Sequence, residues 1–141
     1  MREIKFRAKN VMNGEWVCGD LVHYNHSHTH ISIAEKECKE QYFVHPETIC
    51  QFTGLQDSKG NDIYEGDILC IRQHELDILR CVFRETEINC VVEFRNGSFI
   101  PVMSDGRGYC WSNLIYDKLP TADYTVIGNI HDNPEMMEVS Q

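Results

Sequence analysis

The sequence predicts a mainly β protein, either a small barrel or a rolled antiparallel sheet, with an SH3-like barrel as one form of it. Three observations lead to this fold class. Short apolar segments recur along the 141 residues, and clusters of Gly, Asn, Asp and Ser separate them at close spacing. Hardly any stretch shows the 3.6-residue periodicity of an amphipathic helix. An N-terminal β-hairpin extension and a short C-terminal helical turn complete the predicted architecture.

The N-terminal hairpin is predicted from two segments joined by a turn. Apolar and charged residues alternate from Arg2 to Ala8, which is the period of a half-buried strand. Asn10 to Gly14 is rich in turn residues, and Glu15 to Tyr24 resumes with apolar side chains. The two segments therefore read as the strands of a long hairpin.

The next part of the chain carries weaker signals. A strand is predicted to continue through Ile33, and Glu35 to Glu40 is predicted to be an exposed loop or a short helical turn. Gln41 to Val44 is predicted as another short strand. Pro46 ends it, because a proline restricts the backbone of the residue before it.

The central corner, residues Thr53 to Ile68, is the stretch that organises the rest of the chain. It reads as one turn, a second turn and the start of a strand, because Gly, Asp, Asn and Ser dominate it. This polar run is interrupted by Leu55, Ile63 and Tyr64, whose apolar or aromatic side chains need to be buried. We therefore expect an ordered corner and not a flexible linker.

Further strands are predicted after the central corner. Ile68 to Arg72 is almost continuously apolar, as expected of a strand that is covered on both faces. The polar segment Gln73 to Ile78 is predicted to be a connection. Leu79 to Phe83 and Ile88 to Phe94 are predicted strands, with Arg84 to Glu87 between them.

The C-terminal third begins with the clearest hairpin signal in the chain. Asn96-Gly97 suits a type I′ turn, and Phe99 to Met103 forms the return strand. Pro134 follows Asn133 and precedes Glu135, which predicts a short C-terminal helix with an N-cap and an acidic first turn. The remaining segments are predicted as a loop at Ser104 to Gly108, a core-directed segment at Tyr109 to Tyr116 and a last strand at Tyr124 to Ile130.

The length predicts one domain over residues 1–141. A subdivision into an N-terminal β lobe, 1–45, and a main β-barrel lobe, 46–141, is the alternative. Seven cysteines lie at least nine residues apart in a chain whose first ten residues lack an apolar signal-peptide core. We therefore expect reduced thiols and a cytoplasmic location, with Cys70, Cys81 and Cys90 as small apolar residues of the core.

The charge balance argues against sequence-independent binding to nucleic acid. The chain has 13 basic and 22 acidic residues, a net charge of −9, whereas such binding depends on a basic surface. A local basic patch would still be compatible with this total. No stretch is long and apolar enough to predict a membrane span.

Three segments together resemble the YopX family of phage and prophage proteins. They are Met1 to Ala8, the run from Gln51 through Asp57, Gly60 and Ile63 to Ile68, and Val126 to Glu135. Val91 to Phe94 and Asn96 to Phe99 also fit the strand and turn of that family, whereas Lys9 stands where an aromatic residue often follows. The resemblance implies a small β-rich protein whose biochemical role is not established, together with homo-oligomerisation, and it brings no catalytic residue.

The motif residues carried by this resemblance are interpreted as structural. In the Glu65-Gly66-Asp67 run, a tight turn at Gly66 and capping by Asp67 are favoured over paired catalytic carboxylates. The motif set is Thr53, Gly54, Leu55, Asp57, Gly60, Ile63, Tyr64, Glu65, Gly66, Asp67, Gly128, Asn129, Asn133 and Pro134.

Four other groupings have chemical alternatives. His26, His28 and His30, with His23 nearby, could ligate a metal from one face of a strand, but a solvated edge is favoured because no Cys or carboxylate stands at metal-motif spacing. A Cys–His nucleophile pair lacks any local signature, and Gly106-Arg107-Gly108 is a turn and not a phosphate loop. For the aromatic residues Trp16, Tyr109, Trp111 and Tyr116, core packing is favoured over a platform that stacks nucleic-acid bases.

The sequence therefore predicts a non-enzymatic accessory protein without cofactor or metal. It would act by self-association or by binding an unknown phage or host protein. A nucleic-acid-associated β-barrel is the alternative, and a small hydrolase is a third hypothesis.

Overall fold

The protein is mainly β, as predicted. The computed structural model describes residues 2–24, 31–34, 40–108 and 122–138. The strands are β1 (Phe6–Lys9), β2 (Trp16–His23), β3 (Ile31–Ala34), β4 (Gln41–Phe43), β5 (Cys50–Gln56), β6 (Asp62–Tyr64), β7 (Asp67–Asp77), β8 (Val82–Arg95), β9 (Ser98–Met103) and β10 (Ala122–Asn129). Two short 3₁₀ helices cover Pro46–Thr48 and Pro134–Met137. The described strands form antiparallel sheets and do not close into a barrel.

The chain divides into two compact units, Met1–Leu55 and Gln56–Gln141. Compact groups of contacts within one chain do not establish independent folding. The single domain over 1–141 and the subdivision after residue 45 therefore both stay predictions. Across the described residues, no helix has the length and apolar character needed to cross a membrane.

The first unit confirms the predicted N-terminal hairpin. Its strands lie in the order β4-β3-β2-β1-β5. β1 and β2 are antiparallel, and Phe6 lies opposite Gly19. Strand alternation directs Ala8 into a core with Ile33 and Val44, and all three side chains are buried.

The second unit contains the predicted apolar strand at its centre. The sheet order is β10-β7-β8-β9, and the first apolar residues of β7, Ile68 and Leu69, are fully buried. Asn96 and Gly97 have φ of 49° and 81°, which confirms the type I′ hairpin between β8 and β9. The predicted C-terminal helical turn is also present, as the 3₁₀ helix Pro134–Met137.

The first predicted turn of the central corner is wrong. Thr53 to Gln56 belongs to β5, and the turn begins only at Asp57. The strand is specified by pairing: Cys50 lies opposite Arg7, and the backbone N–H of Phe52 donates to the carbonyl of Lys5 at 2.9 Å. Gly54, which resembled a turn residue, has φ of 86° within this strand.

The segment between residues 73 and 87 also differs from the prediction. The predicted connections at Gln73 to Ile78 and Arg84 to Glu87 are strand, because β7 and β8 pair continuously until Asp77 lies opposite Val82. The predicted strand Leu79 to Phe83 contains the hairpin loop instead. This two-stranded ribbon forms although many of its residues are polar, because strand pairing uses only backbone hydrogen bonds.

Cys81 is not a core residue. Its side chain is exposed and its φ is 52°, in the left-handed region of the hairpin loop. Cys70 and Cys90 are buried, as predicted. Burial raises the pKa of the Cys90 thiol to about 11.

Candidate functional site

The first turn of the second unit is organised by the Asp57 carboxylate. One of its oxygens accepts hydrogen bonds from the backbone N–H groups of Lys59 (2.9 Å) and Asn61 (2.8 Å). The other accepts from the Asn61 side-chain amide (3.1 Å) and from the backbone N–H of Val126 in β10 (2.9 Å). Burial alone would raise the pKa of Asp57, but these donors hold it below the ordinary value of 3.8.

Backbone contacts strengthen the link between this turn and β10. The N–H of Ser58 donates to the carbonyl of Tyr124 at 3.0 Å, and the N–H of Tyr124 donates to the Ser58 hydroxyl at 3.2 Å. Burial raises the pKa of the Tyr124 hydroxyl, and the nearby negative charge of Asp57 raises it further. These contacts connect the turn to β10, and four donors of the protein bind the Asp57 carboxylate.

The second turn places Gly66 between two strands. Gly66 has φ of 81°, its N–H donates to the carbonyl of Val92 (2.8 Å), and its carbonyl accepts from the N–H of Ile130 (2.9 Å). Asp67 is 1% exposed, and its carboxylate accepts the backbone N–H of Tyr64 at 2.8 Å. Tyr64 itself is 6% exposed.

A third turn, at the end of β10, contains the remaining motif residues. The Asn129 side-chain oxygen accepts the backbone N–H groups of His131 and Asp132, both at 3.0 Å. A Cβ on Gly128 would lie 2.6 Å from the side-chain oxygen of Asn133, so a larger residue at this position would displace the Asn133 side chain. Asn133 precedes the final 3₁₀ helix, which begins at Pro134.

The motif residues therefore lie in backbone turns and strands. Asp57 contacts Val126 of β10 and Asp67 lies opposite Asn129 of β10, whereas Thr53, Gly54 and Leu55 lie in β5 of the first unit. Glu65 is half-buried, Ile63 is fully buried and Gly60 donates its N–H to the carbonyl of Asp57 at 3.0 Å. The structural role assigned to the set stays a prediction.

The described residues contain no group of three or more His, Cys, Asp and Glu side chains arranged to hold a metal ion. His26, His28 and His30 lie outside those residues, so the metal hypothesis for them stays untested. Tyr109, Trp111 and Tyr116 also lie outside. Gly106 and Arg107 belong to a turn, in which the Arg107 guanidinium contacts the Asp105 carboxylate at 2.7 Å.

A basic and aromatic cluster lies on the first unit. The Arg7 guanidinium lies 4.8 Å from the ring centre of Trp16, and the Lys9 ammonium lies 5.5 Å from it. Lys5 lies 4.5 Å from the ring centre of Phe52. Strand alternation explains the cluster, because Lys5, Arg7 and Lys9 all project from the same face of the β1 segment.

The exposed surface that sequence reasoning missed is at the end of the β7–β8 ribbon. We use "arm" for the paired residues 74–86, which pair with no third strand among the described residues, and "arm tip" for Ile78, Leu79, Val82 and Phe83. These four side chains are exposed by 79%, 97%, 49% and 79%, respectively. The signal that was missed is the apolar pair Ile78-Leu79, which directly follows Asp77 in the loop between β7 and β8.

Asp77 fixes the loop that carries the arm tip. One of its carboxylate oxygens accepts the backbone N–H groups of Leu79 (3.1 Å) and Arg80 (3.2 Å). The N–H of Arg80 also donates to the carbonyl of Asp77 at 3.2 Å. The apolar residues are thus presented on a preformed turn.

A groove of about 410 Å³ lies elsewhere on the second unit. Apolar side chains and carboxylates line it together. The lining residues are Glu87, Ile88, Asn89, Met103, Ser104, Asp105, Met136, Met137 and Glu138. The amide of Asn89 donates to the carbonyl of Met136 at 3.2 Å and joins β8 to the final 3₁₀ helix beside the groove.

Comparison with known proteins identifies the family. The family model described as YopX protein matches residues 5–138, nearly the whole chain. The chain belongs to the YopX family. The resemblance drawn from the three sequence segments is thereby confirmed.

A solved structure is similar to this chain over its whole length. It is the crystal structure of protein EF1440 from Enterococcus faecalis, which is 26% identical, with a TM-score of 0.60. The match covers 98% of this chain and 100% of that one. No curated protein matches the chain.

Proposed function

We propose that this YopX-family protein is a phage- or prophage-encoded accessory protein that acts by associating with itself. The observation that carries the proposal is the arm tip, where Leu79 is 97% exposed and Ile78 and Phe83 are each 79% exposed. Contiguous exposed apolar residues mark interaction sites more often than single ones do. The family resemblance points in the same direction.

The local structure of the arm supports binding. Asp77 orders the backbone of Leu79 and Arg80, so that less backbone conformational freedom is lost when the tip is covered. A tip of four apolar side chains would otherwise stand in water without a structural role. An unknown phage or host protein is the alternative occupant.

The location we propose is the cytoplasm of the bacterial host. The described cysteines Cys18, Cys50, Cys70, Cys81 and Cys90 are not joined in disulfide bonds. Exposed reduced thiols such as those of Cys18 and Cys81 suit a reducing compartment.

We propose a binding role without catalysis or a cofactor. The described groove is lined by carboxylates and methionines but includes neither Cys nor His. The Asp57 carboxylate is occupied by four donors of the protein, which leaves it poorly suited to acid–base chemistry.

Light scattering across micromolar concentrations tests the proposal. Wild type is expected to exceed the mass of one chain, and the double variant Ile78→Ser/Leu79→Ser is expected to approach that mass. Met12→Ser is the matched control, because Met12 is also exposed (87%) but lies in the first unit. A wild-type mass of one chain at every concentration would contradict self-association.

A nucleic-acid-associated role is the second candidate, and the cluster of Lys5, Arg7 and Lys9 with Trp16 and Phe52 is the observation in its favour. Two of these cations already lie over the Trp16 ring, which makes that ring a poor platform for a base. Titration of labelled single-stranded DNA at low salt tests this role. Binding that Trp16→Leu and Arg7→Gln both weaken would favour it over self-association.

A further inference from the structure

Two Asn-Gly pairs occur in the chain, Asn13-Gly14 between β1 and β2 and Asn96-Gly97 between β8 and β9. Such a pair can react internally, because the backbone nitrogen of the glycine can attack the side-chain carbonyl carbon of the asparagine. Glycine permits this approach since it has no Cβ, and asparagine is among the thermolabile residues of proteins. The hydrogen bonds of the reacting groups distinguish the two pairs.

The reacting groups of the first pair are all held by hydrogen bonds. The side-chain oxygen of Asn13 accepts the backbone N–H of Glu15 at 3.0 Å, and its side-chain nitrogen donates to the Glu15 carboxylate at 3.1 Å. The attacking nitrogen, that of Gly14, donates its hydrogen to the carbonyl of Asn10 at 2.8 Å. A reaction at Asn13 therefore requires these bonds to break first.

The second pair carries none of these restraints. Within the described part of the chain, neither the side-chain amide of Asn96 nor the N–H of Gly97 takes part in a hydrogen bond. Both residues are exposed to water, and a Cβ placed on Gly97 would meet nothing within 4 Å. The space and the water that the reaction needs are thus present at this turn.

We propose that Asn96 is a site of spontaneous deamidation whose rate is controlled by opening of the β8–β9 hairpin. The nitrogen of Gly97 forms a bond to the side-chain carbonyl carbon of Asn96 and loses its proton to water. The side-chain nitrogen leaves as ammonia, which completes a succinimide ring. Water then opens the ring at either carbonyl and leaves aspartate or isoaspartate, so water is the co-reactant and no oxidant or reductant takes part.

The type I′ turn restrains this reaction in the folded chain. Asn96 and Gly97 have φ of 49° and 81°, and Arg95 lies opposite Ser98 at the end of the strand pair. Ring closure requires Asn96 to rotate out of this left-handed conformation until its side chain faces the nitrogen of Gly97. The end of the hairpin must therefore open first, and chain segments at such positions open at low free energy.

Isoaspartate would alter the hairpin permanently. Its backbone runs through the former side chain and so contains one extra carbon between Arg95 and Ser98, which no longer matches the two-residue loop of a type I′ turn. Two contacts lie beside that loop. The rings of Phe94 and Phe99 are 5.1 Å apart, and the Arg95 guanidinium donates to the carbonyl of Gly106 at 2.9 Å. We expect both contacts to loosen in the reacted chain.

The test incubates the full chain in mildly alkaline, isotopically labelled water and locates the incorporated oxygen by peptide mapping. Amide loss is expected to be at least about fivefold faster at Asn96 than at Asn13, because the hydrogen bonds on Asn13 and Gly14 together correspond to that factor or more. Loss at Asn96 is expected to be slower in the folded chain than in the chain unfolded by guanidinium.

Two variants control the measurement. Asn96→Gln should abolish the reaction at this position, because the longer side chain forms its ring much more slowly. Glu15→Ala removes the carboxylate that holds the Asn13 amide, so it should accelerate the loss at Asn13 and leave Asn96 unchanged. Loss at Asn13 as fast as at Asn96 in wild type, or retention of the Asn96 amide only in the folded chain, would overturn the assigned site. Equal rates at Asn96 in the folded and unfolded chains would overturn control by the hairpin.

The structural consequence has its own control. The isoaspartate form, separated by ion exchange, is expected to melt at a lower temperature than Asn96→Asp, which carries the same added charge on an unaltered backbone. Equal melting temperatures would show that the hairpin accommodates the extra carbon and would overturn the predicted change.

Discussion

Replacing Asp57 by Asn tests whether the first turn of the second unit is a structural clamp. The carboxylate accepts four hydrogen bonds, three of them from the backbone N–H groups of Lys59, Asn61 and Val126. An amide retains one acceptor oxygen and directs an NH₂ group at the donors formerly bound by the other oxygen.

The expected loss follows from those bonds. A hydrogen bond to a charged acceptor contributes about 1.5–3 kcal/mol and a neutral one about 0.5–1.5 kcal/mol. Two hydrogen bonds are lost, but water can accept from the more exposed donors in place of the carboxylate oxygen. The free energy of unfolding should therefore fall by about 2–4 kcal/mol. For a chain of this size the melting temperature changes by about 3–4 °C per kcal/mol, which gives a decrease of about 6–16 °C.

The pH dependence supplies an independent check. The folded pKa of Asp57 lies below its ordinary value of 3.8, so the carboxylate stabilises the fold above that value and ceases to do so as pH falls through the folded pKa. The difference between wild type and Asp57→Asn should therefore be largest near neutral pH and shrink in acid. Thermal melts between pH 7 and about pH 3 measure it.

Asp62→Asn is the matched control. Asp62 lies in the same part of the chain, and its carboxylate accepts a hydrogen bond from the exposed Gln56 side chain at 3.1 Å. We expect a much smaller loss there. Equal losses in the two variants, or an Asp57→Asn deficit that stays constant in acid, would refute the clamp.

Tyr64→Ala should lower the free energy of unfolding by about 3–5 kcal/mol, because Tyr64 is 6% exposed, and an unchanged melt would place its ring outside the core. Gly97→Ala should cost about 1–2 kcal/mol in denaturant unfolding, since φ is 81° there, and a neutral result would mean that the turn changes type. In native protein at pH 8, maleimide followed by peptide mapping should label Cys81 well before Cys90, whose burial raises its pKa to about 11. Equal labelling rates would contradict the described burial.

Sequence reasoning correctly predicted those turns and strands that a short run of neighbouring residues specifies by itself. Asn96-Gly97 specifies its hairpin through two positive φ angles, and the apolar run from Ile68 to Ile71 specifies a strand that is covered on both faces. The arm was missed because the exposed residues of its β8 strand, Val82 to Glu87, show no apolar alternation. Exposed Leu79 was then interpreted as part of a strand, since apolar residues are assumed to be buried.

The candidate surfaces were less accessible to sequence reasoning. Asp57 was identified as a turn residue, but its bond to Val126 spans 69 positions and leaves no local pattern. The groove unites residues of β8, the loop after β9 and the final 3₁₀ helix, so no single segment indicates it. The structural interpretation of the motif residues therefore depends on the substitutions proposed above.

The placement of Gly66 has a consequence for the order in which the protein is made. The Gly66 carbonyl cannot form its hydrogen bond until the N–H of Ile130 has left the ribosome, on the order of seconds later. During that interval β7 and β8 can pair, but the other edge of β7, which β10 later covers, stays open. A growing chain thus carries an unpaired strand edge beside Ile68 and Ile71 until its last strand emerges, and interruption of synthesis before residue 122 would leave a product prone to aggregate.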